Sequence, residues 1–135
     1  MKRYGPVYAG EGKLRISAEA WPAGDDWVVA VLGGEAPHVG AVALACPCAA
    51  PENTSGEITS FVSVLTAPGH RDDELARKLA LRLCKALRRN ISLSVGIHVH
   101  NATLEEIGIL IANAEDAAAA LLPLLHENRE FILRD

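Results

Sequence analysis

The chain has 135 residues, a formal net charge of −4, 50% apolar residues, 22% charged and only 4% aromatic. That length fits one domain burying roughly two-thirds of its unfolded surface, and the apolar fraction excludes overall disorder. The slightly acidic balance argues against a general nucleic-acid binder. No run approaches the roughly 20 apolar residues of a membrane span, and Met1–Pro6 lacks the apolar core of a secretory signal. The expectation is a cytoplasmic single domain, residues 1–135, with neither nucleic acid nor membrane as partner.

Residues 12–21 alternate Leu14, Ile16 and Ala18 with Lys13, Arg15, Ser17 and Glu19, the pattern of a half-buried strand. Pro22–Asp26 reads as a turn, Trp27–Leu32 as a buried strand, and Gly33-Gly34-Glu35-Ala36-Pro37 as its end. A third strand is predicted over 39–46, the longest loop over 47–56, and a fourth strand over 57–66. After Pro68-Gly69, Leu75, Leu79, Leu83 and Leu87 recur every four residues, with Ala76 and Ala80 beside them, and predict a helix. Asp72, Asp73 and Glu74 stand at its start and its bases towards the end, which complements the helix macrodipole. The basic face is therefore read as solvated surface.

Residues 91–99 place Ile91, Leu93, Val95, Ile97 and Val99 on one strand face and Ser92, Ser94, Gly96, His98 and His100 on the other. Thr103 followed by Glu106 is a capping box that opens a second helix. Pro123 is expected to end or kink it, and Phe131-Ile132-Leu133 to add a short apolar element. The order ββββαβα predicts an α+β fold: a largely antiparallel sheet of five or six strands covered by two main helices. Leu81 and Ile109 fall on the polar arcs of their helices and favour a partner surface.

Four groups of residues bear on chemistry. Cys46, Cys48 and Cys84 are an odd set that fits a reducing compartment. Cys46-Pro47-Cys48 has no second pair to complete a zinc site, so buried reduced thiols are favoured over a metal or redox role. His98 and His100, two apart on a strand, point the same way, and His38 is the candidate third ligand of a metal site. The alternative is polar residues at a strand end, with Asn101 opening the turn. Pro68-Gly69-His70-Arg71 precedes a helix start, where free backbone N–H groups and Arg71 suit a phosphate or carboxylate. Asp72, Asp73 and Glu74 oppose an anion there, and an ordinary capped turn is the competing reading. Gly33–Gly40 is either a loop lining a pocket, with His38 pointing into it, or a tight hairpin. No Ser-His-Asp arrangement, G-x-S-x-G motif or catalytic carboxylate pair stands out, so an enzyme is not indicated.

The segments GGEAPHVGAVA (33–43), TAPGHRDDELA (66–76) and GIHVHNAT (96–103) resemble the prenylated-flavin chaperone-like family. That family is named after a small accessory subunit of gallate and related hydroxyarylic-acid decarboxylases. The resemblance runs from about residue 10 to 120. It implies a proteasome-assembly-chaperone-like fold, a homodimer, and a non-catalytic role in assisting a decarboxylase that depends on prenylated FMN. Carried over by position, the cofactor-binding residues are His38, Gly40, Gly69, His70, Arg71, His98 and Asn101, with Pro68 and Thr103 in the same motifs. The family pattern often has an acidic residue where this chain has His100, which implies that a metal site built on His98 and His100 is incidental or particular to this protein. The resemblance implies prenylated FMN or FMN as ligand and no metal. The alternatives are a small metal-dependent enzyme using the three histidines and a purely structural dimeric module.

Overall fold

The computed structural model describes residues 2–48, 59–69 and 72–133. The strands are β1 (Tyr4–Ala9), β2 (Ile16–Ala23), β3 (Asp26–Gly34), β4 (Ala41–Cys48), β5 (Thr59–Thr66) and β6 (Ile91–His98). The helices are α1 (Asp73–Leu87) and α2 (Leu104–Leu133), and Gly12–Leu14 forms a single 3-10 turn. The fold is α+β. One sheet has the order β1-β2-β3-β6-β4-β5. Only β3 and β6 pair in parallel; the other neighbours are antiparallel.

Strand alternation decides which face is covered. Ile16, Ala18 and Ala20, Trp27, Val29 and Val31, Ala41, Ala43 and Ala45, and Ile91, Leu93 and Val95 are all buried. The register aligns them across the sheet, as in Ala18–Val31–Val95–Ala41. Both helices lie on this face, α1 over β4, β5 and β6, and α2 over β1 and β2. The small alanines of β4 let α1 approach closely, and Leu79, Leu83 and Leu87 fill the space between them with no exposed surface. Each such leucine contributes about 1.5–3 kcal/mol by leaving water. The opposite face has no helix over it and exposes Val28, Leu44, Phe61 and Leu65.

The structure corrects several expectations. β1 lies outside the predicted strands. Pro6, lacking an N–H, is accommodated on this edge strand at a register shift between Tyr4 and Val7. Tyr4 meets the buried Trp27 ring edge-on at 5.3 Å and so helps to tie β1 to the sheet. Pro22 belongs to β2, and the turn shrinks to Gly24-Asp25, with Ala23 paired to Asp26. Gly33–Gly40 is no hairpin, because β6 is inserted between β3 and β4. Pro123 sits inside α2 without ending it, between the buried anchors Leu121 and Leu125, and the helix runs on through 131–133. By length and composition Leu104–Glu127 is also apolar enough to cross a bilayer, contrary to the expectation of no such run. In this fold its Leu110, Ala114, Ala117, Ala118, Leu121 and Leu125 are buried. The expected long loop gives Pro47 and Cys48 to β4, and residues 49–56 lie outside the described residues.

Candidate functional site

The topology gathers three connections at one end of the sheet: residues 35–40 after β3, the described residues 67–69 and 72 after β5, and 99–103 after β6. The first straddles β6 to reach β4. Its Glu35 and Ala36 N–H groups both donate to the His98 carbonyl (2.7 and 3.2 Å), and Gly40 N–H donates to the Val95 carbonyl (2.9 Å). The Gly40 carbonyl accepts from Ala67 N–H at 2.8 Å, joining the first connection to the second. Glu35 Oε1 accepts from His100 N–H at 2.9 Å, joining it to the third.

Glycines make this crossing possible. A Cβ on Gly96 would stand 1.5 Å from the His38 carbonyl oxygen, and one on Gly40 would stand 1.9 Å from Asp72 Oδ2. Gly34 adopts φ +80°, and a Cβ there would meet the His98 carbonyl oxygen at 2.3 Å.

His38 links two of the connections. Its Nδ1 lies 3.0 Å from the Ala36 carbonyl oxygen, in its own loop, and its Nε2 lies 3.4 Å from Asp72 Oδ2, at the N-cap of α1. Both side chains are mostly covered. The Asp72 carboxylate makes no capping hydrogen bond to its own helix and faces the imidazole instead. The His38 and His98 rings stand nearly perpendicular, with centroids 6.4 Å apart.

Beside this cluster, between the starts of α1 and α2 and the end of β6, is a cavity of about 400 Å³. Its walls are apolar (Leu75, Ile97, Val99, Leu110 and Ile111), and its polar groups include His98, Asp72 and Glu74. Both helix N-termini approach it, and their first turns carry Asp73 and Glu74, and Glu105 and Glu106. The α2 end is closed by the expected capping box: Glu106 N–H donates to Thr103 Oγ1, and Thr103 N–H donates to Glu106 Oε1, both at 3.1 Å. Glu106 also receives Lys13 at 2.8 Å. That bond, with the Thr103 backbone, holds its carboxyl below the ordinary range and raises the Lys13 ammonium above its own.

Of the residues singled out from the sequence, Gly69 and His98 line the cavity, and His38 and Gly40 meet Asp72 at its edge. His70 and Arg71 lie outside the described residues. Asn101 turns the chain with φ 50°, a conformation asparagine tolerates better than most side chains. The pairing of His98 with His100 on one strand face does not hold: β6 ends at His98, and His100 stands exposed in the turn. Among the described residues no group of three or more His, Cys, Asp or Glu side chains could hold a metal ion. Asp72 went unnoticed as a site residue because its place before a helix reads as a cap.

The family model of the prenylated flavin chaperone LpdD-like domain matches residues 10–126 and so takes in all three connections. The chain belongs to this family. The LpdD-like domain here is also similar in fold to a chain from the crystal structure of a novel chaperone complex for yeast 20S proteasome assembly. That likeness has a TM-score of 0.54 at 16% identity and covers 91% of this chain and 95% of the other. No curated protein sequence matches the chain.

Proposed function

We propose that this LpdD-like protein is a non-catalytic accessory protein of the cytoplasm that handles prenylated FMN, or FMN, for a decarboxylase partner, and that it acts as a homodimer. Membership in a prenylated flavin chaperone-like family supports the accessory role. The observation that carries the ligand assignment is the cavity lined by residues of the second and third family motifs, with His38 of the first motif meeting its lining residue Asp72. Its aliphatic walls suit a flat apolar ring system, and His98 at its rim offers a polar contact to the ring edge. Asp72 and Glu74 do not suit the phosphate, which on this reading goes to Arg71.

The test is retention of FMN or prenylated FMN, read by absorbance after gel filtration. Wild type should retain flavin, while Ile111→Arg, which puts a charge into the apolar wall, and Arg71→Ala should each lose it. Failure of wild type to retain either flavin, together with failure to capture a prenylated-FMN-dependent decarboxylase, overturns the reading.

The homodimer is supported by the uncovered sheet face, where Phe61 is 73%, Leu65 78% and Leu44 50% exposed on adjoining strands. Exposed apolar side chains gathered in this way mark association surfaces. The outer side of α2, where Ile109 is exposed away from the cavity, is the proposed decarboxylase contact.

A further inference from the structure

A second cavity, about 460 Å³, opens on the uncovered face over β1, β2 and β3, away from the apolar patch on β4 and β5. Tyr8, Ser17 and Leu32 sit side by side in the sheet register and line it, with Arg15 and Pro37 at its margin. No acidic side chain lines it, in contrast to the cavity containing Asp72 and Glu74. The Arg15 guanidinium lies 4.1 Å over the Tyr8 ring. Among the described residues Arg15 has no carboxylate within ion-pair distance, as is also true of Lys2, Arg82, Lys85, Arg88 and Arg89.

These observations have a common chemical consequence. A guanidinium held over an aromatic ring loses little hydrogen-bonding capacity to that contact, so its N–H groups stay available to a ligand. Ser17 Oγ donates to the Leu32 carbonyl at 3.2 Å, so that hydroxyl is already committed within the sheet, and the guanidinium is the charged donor of the lining. Leu32 and Pro37 provide apolar contact beside the charge. We propose that this cavity binds a small organic oxyanion, a carboxylate or phosphate monoester on a flat apolar body, through a bidentate contact to Arg15. The site uses residues that the flavin reading does not.

The experiment titrates the intact, isotope-labelled protein with benzoate, phenyl phosphate and, as the neutral control, benzyl alcohol, following backbone amide shifts. Saturable shifts at Arg15, Ser17, Gly33 and Gly34 are expected with at least one anion, and much weaker ones with the alcohol. The two anions show which headgroup is preferred. Arg15→Gln should weaken the anion roughly tenfold or more, the scale of a lost charge-assisted hydrogen bond. Arg15→Lys, which keeps the charge but not the planar fork, should fall between. Arg15 is exposed, and unchanged amide positions elsewhere confirm that the variants stay folded. The proposal is overturned by absence of saturable shifts with both anions, by equal binding of the alcohol, by shifts confined to the His98 cavity, or by Arg15→Gln binding as wild type does.

Discussion

A Cβ on Gly96 would overlap the His38 carbonyl, so Gly96→Ala forces the crossing loop off β6. The expected cost is about 1–3 kcal/mol, the usual range for overpacking, read as a lower urea midpoint. Thr103→Ala removes one half of the α2 capping box and should cost about 1 kcal/mol by the same measurement. The Lys13–Glu106 contact makes stability pH-dependent. Folding lowers the Glu106 pKa, so its contribution is complete above the ordinary carboxylate value and is lost as pH falls through the lower folded value. Folding raises the Lys13 pKa, so that contribution is lost as pH rises through the raised value. Lys13→Met should flatten the change in urea midpoint at both extremes while leaving the capping box in place. Burial, the largest cause, pushes the Cys84 thiol up, so Cys84 should stay unreactive to a thiol reagent until the protein is unfolded. At this scale the sequence showed what is local: Thr103 and Glu106 are three residues apart and could be paired by eye. His38 and Asp72 are far apart along the chain and meet only through the β6 crossing.

Elements declared themselves where periodicity was long and unbroken. The every-fourth-residue leucines of α1 and the alternation of β6 needed no tertiary knowledge, because each buries one continuous face. Leu83→Ala, at a position with no exposure, should cost about 2–5 kcal/mol, whereas Leu81→Ala, partly exposed on the outer arc, should change stability far less; thermal unfolding separates the two. Six-residue β1 was hidden because Gly5-Pro6 interrupts its alternation and its identity as a strand depends on β2 beside it. The order of the sheet was hidden for a different reason. Nothing within 33–40 states whether the next strand pairs with the last one or leaves a gap for a strand made later. The three motifs were therefore visible as segments, while the meeting of His38 with Asp72 beside the cavity was not.

For the whole molecule, the proposed dimer places two uncovered sheet faces together. Phe61→Glu with Leu65→Glu should convert a dimer to a monomer in light scattering without changing the circular dichroism spectrum, since both side chains already stand in solvent within the protomer. The position of β6 also bears on how the chain assembles. The β2–β3 and β4–β5 pairs join neighbours in sequence and have no hydrogen-bonded strand between them except β6. A ribosome releasing residues 1–90 has therefore made two separate ribbons, each with an edge waiting. The strand that stitches them arrives only afterwards and, in the same stroke, draws the connections at one end of the sheet together, so a half-made chain lacks a continuous sheet.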